Sequence, residues 1–269
     1  MKIISDKRKL IRLIQNEKNL GFVPTMGALH LGHISLINKS ISQSRKTLVT
    51  IFINKPQFNK KSDLKNYPRS LNSDISKLRK LKINYLYLPK NYEIYQNGKN
   101  RKIKINSFGK KLCGKHRKGH FEAVADVIDR FIKIIKPKKI YLGQKDMQQL
   151  KIIEDFVKNN HNETKVIGCK TVREKNGVPY SSRNFLLTYV EKIIASNIYK
   201  LLLRSKKKLI KDNGKLDLVR KKISMMGVKK IDYIEIVDIN KIIKPYNKVK
   251  KIRIFIAYHI GKVRLIDNV

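Results

Sequence analysis

Five short runs of apolar, β-branched residues, alternating with amphipathic stretches of helical period, constrain the fold of this chain more than any other feature. Residues 21–25, 47–54, 83–88, 139–143 and 165–172 read as strands. Between them, residues 31–44, 69–81, 121–135 and 145–160 carry helical spacing. Such alternation is satisfied by a parallel, doubly wound α/β sheet with right-handed crossovers. After residue 172 the order changes: helical patterns at 189–211 and 216–226 precede strand-like runs at 231–238 and 253–261, which suits a smaller α+β domain. The expected division is 1–175 and 176–269. A chain of 269 residues, 41% hydrophobic, can bury one large core and one small one.

No apolar run approaches the roughly 18 residues of a membrane span, and the opening MKIISDKRKLIRLIQ is interrupted by charge too often for a signal peptide. A soluble, cytoplasmic protein with no membrane partner is expected. Cys113 and Cys169 lie far apart without metal-ligand spacing, as in a reducing compartment, and read as small buried apolar residues. Lys and Arg number 62 against 20 Asp and Glu, a net charge of +42 that on its face suggests nucleic-acid binding. A dedicated surface would concentrate charge in a stripe with interleaved aromatics, yet KSDLK, GKNRKIK, KPKK, SKKK and KVKK are scattered from end to end. Lys, Ile and Asn have the most A+T-rich codons, so drift in base composition accounts for the excess. No specific nucleic-acid partner is expected.

The strongest chemical signal is GFVPTMGALHLGH, residues 21–33. A strand runs into the small-residue turn Met26-Gly27-Ala28, then through Leu29 and His30 into a helix beginning near Leu31. A helix start offers free N–H groups and a positive dipole end to phosphate, and His30 and His33, around Gly32, share one face of its first turn. One histidine alone would more often be a packing or capping residue; two around a glycine, directly after a strand, point to phosphate chemistry.

The stretch is similar to the HIGH-type signature of the adenylyl-transferring superfamily, and VPTMGALHLGH resembles the pantothenate synthetase family. IFINKPQF with YPRSLNSD, RKGHFEAVADV, LGQKDMQQL and TVREKNGVPYSSRN agree with that family in order and spacing, as do DYIEIVD and VRLIDN. The resemblance covers essentially the whole chain. It implies a Rossmann-like nucleotidylyltransferase domain with a smaller C-terminal domain, a homodimer, and a two-step ligation: ATP and pantoate give pantoyl adenylate and pyrophosphate, then β-alanine displaces AMP.

By the same resemblance, His33 and His30 hold phosphate oxygens as charge builds, with His33 as proton donor. Lys145 neutralises a phosphate, and Asp146 takes the ribose or caps the helix. Gly143 and Gln144 complete that turn. Ser181, Ser182 and Arg183, preceded by Tyr180, correspond to a mobile loop for the β- and γ-phosphates, and Val172 lines the adenine pocket through its backbone. Gln57 and Gln149 resemble the amides that hold pantoate; neutral donors orient an attacking carboxylate without quenching it. Asp74 is a candidate for Mg²⁺ bound to the nucleotide. Arg117 and His120 serve either the substrate or the start of the following helix.

The family pattern is broken at Gln144 and Leu31, where acids are usual, at Asn54-Lys55-Pro56, where the proline has moved, and at Lys118, Glu122, Ala123 and Tyr180. None removes a histidine, lysine, serine or glutamine that the chemistry needs, so retained activity is expected. A tRNA synthetase would share the HxGH turn but needs an anticodon domain for which there is no room. A nucleotidylyltransferase acting on a phosphate ester would not need the paired glutamines.

Overall fold

Alternate residues along the central strands point to opposite faces, and each face carries its own core. The computed structural model describes residues 1–96 and 98–269. The strands are β1 (Lys2–Ile4), β2 (Leu20–Thr25), β3 (Lys46–Ile51), β4 (Tyr85–Tyr87), β5 (Lys139–Gly143) and β6 (Lys165–Cys169), all parallel in the order β1-β4-β3-β2-β5-β6. Phe22, Leu48, Tyr87, Ile140 and Leu142 pack on one face with helices α1 (Lys7–Ile14), α7 (His120–Ile135) and α8 (Met147–Asn160). Val23, Val49, Leu86 and Tyr141 pack on the other, with Leu36 and Ile37 of α2 (Leu31–Gln43) and Leu78 of α4 (Leu71–Lys80). Three short helices, α3 (Lys61–Lys65), α5 (Asn91–Ile94) and α6 (Cys113–His116), lie in the connections.

The doubly wound class is as expected, but several boundaries differ for local reasons. The third strand stops at Ile51 rather than at residue 54, because Lys55–Gln57 close a 3-10 turn in which the Asn54 carbonyl accepts the Gln57 N–H at 3.2 Å. Gln144–Asp146 likewise tighten into a 3-10 turn, so α8 begins at Met147. The strand β1 and helix α1 occupy a segment whose lysines hid its pattern. Pairing with β4, Lys2 opposite Tyr85, makes the strand, and Asp6, accepting the Lys9 N–H at 2.6 Å, caps the helix.

A second sheet, antiparallel, joins β7 (Lys230–Asp238), β8 (Ile252–Ile260) and β9 (Val263–Asn268). Ile234, Ile254, Ile256 and Tyr258 face α9 (Tyr189–Lys211) and α10 (Leu216–Ser224) in their own core. Tyr233, Phe255 and Ala257, in the opposite phase, join the core beneath the parallel sheet. Covered on both sides, β8 reads IRIFIAYHI, without a polar alternation.

The chain winds outward from β2 to β3 and β4, then returns to the far side of β2 as β5. This reversal is a topological switch point, and its crevice opens at the carboxyl ends of β2 and β5, where open α/β sheets bind ligands. The turn at residues 26–30 and the turn at residues 144–146 stand at those two ends.

Candidate active site

The turn after β2 is built on two left-handed residues, Gly27 at φ 79° and Ala28 at φ 50°. Asp74, 1% exposed in the first turn of α4, reaches across to hold it: its carboxylate accepts the N–H groups of Ala28 and Leu29, each at 2.8 Å, and the Ser70 hydroxyl at 3.2 Å. Asp74 is the residue expected to bear on Mg²⁺; here its carboxylate oxygens are engaged by three protein donors, which gives it a structural task in holding this turn. The Ala28 and Leu29 N–H groups are thus engaged within the protein, ahead of the helix start at Leu31. Lys77 donates to the Leu29 carbonyl at 2.8 Å, and the Leu29 side chain is buried in the core.

His30 and His33 come together as expected, with ring centroids 4.0 Å apart. Gly32 is needed for this, since a Cβ there would lie 2.9 Å from Cε1 and Nδ1 of the His30 ring. The His30 backbone N–H points to His33 Nδ1 at 3.4 Å. A neutral imidazole accepting at Nδ1 carries its hydrogen on Nε2, so His33 is set as a donor. The Nδ1 atom of His30 is buried with no hydrogen-bond partner among the described residues. Burial, then Lys145 and Lys77, pull the His30 pKa down to about 4 against the opposing pull of Asp146; burial, then His30 and Lys145, hold His33 well below the ordinary value. Both rings are neutral donors at neutral pH.

Of the remaining phosphate-side residues, Ser182 and Tyr180 reach this turn. Ser182, 5% exposed, donates to the Ala28 carbonyl at 3.3 Å, and Tyr180 lies parallel to His30 with centroids 6.3 Å apart. Ser181 caps the 3-10 turn of this loop by accepting the Arg183 N–H at 3.2 Å. Arg183, expected to face phosphates, instead pairs with Asp63 of α3 at 2.9 and 3.0 Å and lies over Tyr67. An incoming triphosphate would have to compete with Asp63 for it. Val172 accepts the Tyr180 N–H at 3.1 Å, so half of the backbone expected to line an adenine pocket is engaged in a hairpin. Lys145 contacts Asp146 at 3.3 Å, and Gln144, which ends the path from Gly143, receives Arg253 at 3.4 Å. That guanidinium therefore meets a neutral amide. Leu31 is 54% exposed.

On the opposite side, the amide of Gln57 donates to Met26 Sδ at 3.2 Å and accepts from Asn54 at 3.0 Å, which ties the displaced-proline turn to the histidine turn. Asn54 itself is fixed by the Ala123 carbonyl and the Tyr95 hydroxyl. His120 Nδ1 donates to the Gln57 carbonyl at 2.9 Å, which leaves Nε2 to accept from Arg117 at 3.0 Å. Burial and then Arg117 lower the His120 pKa to about 3. Both residues thus brace the Gln57 turn, a role that sequence alone leaves between substrate contact and helix capping. A cavity of about 40 Å³ joins His120 and Arg117 to Lys145, Gln149 and Cys113. Cys113 is more than packing, since its thiol meets the Tyr233 hydroxyl at 3.0 Å and Arg264 at 3.6 Å.

The family described as pantoate-beta-alanine ligase matches residues 1–269. The chain belongs to this family. It is 40% identical over 270 residues to a pantothenate synthetase of Flavobacterium psychrophilum, covering 98% of this chain and 95% of that protein. It is 40% identical over 271 residues to the pantothenate synthetase of Francisella tularensis subsp. novicida, covering 99% and 96%. The crystal structure of the pantoate-beta-alanine ligase from Francisella tularensis, complexed with beta-gamma ATP and β-alanine, superposes with a TM-score of 0.88 at 38% identity, covering 100% of this chain and 97% of that one. The pantothenate synthetase of Thermus thermophilus has the same TM-score of 0.88 at 28% identity, covering 100% and 99%. No helix among the described residues is long and apolar enough to cross a membrane.

Neutral burial of these histidines has a measurable consequence for stability. Unfolded histidine titrates near 6.5, folded His30 near 4 and folded His120 near 3. Below 6.5 the unfolded chain takes up protons that the folded chain refuses, so stability is complete above that pH and drains away as pH falls toward 4, on the order of 3 kcal/mol for His30. Melting temperature measured from pH 7 to 4 should fall, and fall less steeply in His30→Asn; equal slopes would contradict the burial argument.

Proposed function

We propose that this chain condenses (R)-pantoate with β-alanine to give pantothenate, using ATP as a substrate and passing through an enzyme-bound pantoyl adenylate. One observation carries the reading: at the β2–β5 switch point two neutral imidazoles stand beside the Ser182 loop and within the field of Lys145, and the Gln57 amide is tied to Met26 of the same turn. In the first step a pantoate carboxylate oxygen attacks the α-phosphorus of ATP, the bond to the bridging oxygen breaks, and pyrophosphate leaves with the electron pair. His33 Nε2–H, His30 and Lys145 face the charge that builds on the phosphate oxygens, where a prearranged donor contributes most. Gln57 and Gln149 aim the carboxylate. In the second step the β-alanine nitrogen attacks the acyl carbon, the carbon–oxygen bond breaks, AMP departs, and the nitrogen gives up a proton. Neither step uses an enzyme nucleophile.

Beta-gamma ATP and β-alanine in the Francisella structure support the nucleotide and the amine as substrates. Mg²⁺ enters, on this proposal, with the ATP phosphates rather than on a carboxylate of the protein. A homodimer, a cytoplasmic location and a boundary between nucleotide-binding and smaller domains at 175/176 belong to the same proposal.

The test is exchange of labelled pyrophosphate into ATP. Exchange should require pantoate and proceed without β-alanine. Absence of exchange with pantoate, or equal exchange with a phosphate ester in its place, would reject the reading.

A further inference from the structure

The end of β9 enters the site from a distance of more than a hundred residues in sequence. Asn268 is 2% exposed, and each of its polar groups is engaged. Its two amide hydrogens go to the carbonyls of Gln144 and Lys145, both at 2.9 Å. Its amide oxygen accepts from Arg253 at 2.7 Å, and Arg253 also reaches the Gln144 side chain at 3.4 Å. Its backbone N–H donates to Asp267 at 2.7 Å, and its carbonyl accepts from Arg173 at 3.1 Å. Asp267 in turn holds Arg173 in a two-pronged pair at 2.7 and 2.9 Å, while Arg173 donates to the Gly177 carbonyl at 3.0 Å, in the hairpin that leads to Ser182.

A lysine ammonium rides on four rotatable bonds, so its place is set by the backbone beneath it and by what packs along its stem. The 3-10 turn of Gln144–Asp146 is the three-residue joint between the end of β5 and the start of α8. The Asn268 amide grips two consecutive carbonyls of that turn, and the same strand end is tied through Asp267 and Arg173 to the phosphate-side hairpin. We propose that Asn268 is a positioning residue for Lys145: it fixes the turn from which the ammonium reaches the reacting phosphate, and with Asp267 it sets the distance between that ammonium and the Ser182 loop. This rests on the ligase reading above and adds to it a residue whose polar groups are all engaged within the protein.

The experiment is a double-mutant cycle on the full chain, read by pantoate-dependent pyrophosphate exchange. Asn268→Ala should lower kcat about 10- to 100-fold, as small misplacements of a catalytic group do, with the KM for pantoate changed by less than about twofold. In a Lys145→Ala background the same substitution should cost less than about threefold, because the group it positions is already gone. A loss of equal size in both backgrounds would show that Asn268 acts on the fold at large and overturn the proposal. So would a raised pantoate KM with unchanged kcat. Asn268→Asp keeps the shape and the contact to Arg253 but turns oxygen toward the two carbonyls; it should match the alanine variant, and a normal rate in it would equally overturn the proposal. If Asn268→Ala does not fold, Asn268→Asp in the two backgrounds decides the matter. A wild-type protein without exchange would reject the ligase reading instead.

Discussion

His33→Ala is expected to slow pantoate-dependent pyrophosphate exchange by about 10²- to 10³-fold, the loss typical of removing one prearranged donor from a developing oxyanion. The ring is held by the His30 N–H with its Nε2 hydrogen directed away from the backbone, and its depressed pKa keeps it a neutral donor rather than a counter-ion. Its side chain contributes little to the core, so far-UV circular dichroism should be unchanged and the melting temperature close to that of the parent. His33→Gln, which retains an N–H donor on a flexible stem, should recover part of the rate. Full activity in the alanine variant would remove His33 from the chemistry.

Asp74→Ala should instead strike the fold. It leaves the Ala28 and Leu29 N–H groups buried without an acceptor, at about 1–3 kcal/mol each, and frees a strained turn that includes a non-glycine residue at φ 50°. A loss of about 3–5 kcal/mol corresponds to a fall of roughly 10 °C in melting temperature for a chain of this length. Activity should collapse with it, because the turn sets the angle at which His30 and His33 leave the sheet. Asp74→Asn separates this role from metal binding. It keeps one acceptor but faces the other N–H with a donor, so it should melt early while the Mg²⁺ concentration for half-maximal exchange stays the same. A normal melting temperature with a several-fold higher Mg²⁺ requirement would restore Asp74 as a metal ligand.

These two residues illustrate different degrees of legibility. His33 stands three positions from His30 around a glycine, at the junction of a strand and a helix, and every element of that reasoning is local. The glycine's purpose becomes visible only with the ring of His30 lying against it. Asp74 also stands in a recognisable motif, yet its carboxylate reads there as a cation ligand when its partners are two N–H groups 45 and 46 residues away. Arg183 likewise has the charge for phosphate but is paired with Asp63, 120 residues away in sequence.

The strand–helix alternation and the helix-start histidines are properties of neighbouring residues: side-chain period, turn propensity and short-range spacing follow from backbone geometry and persist whatever the rest of the chain does. Sheet order, the bracing of Gln57 by Arg117 and His120, and the grip of Asn268 on Gln144 and Lys145 arise only after closure of long loops brings distant donors and acceptors together. A hydrogen bond across 123 residues leaves no period in a sequence, because its energy depends on where two groups end up and not on what stands beside them.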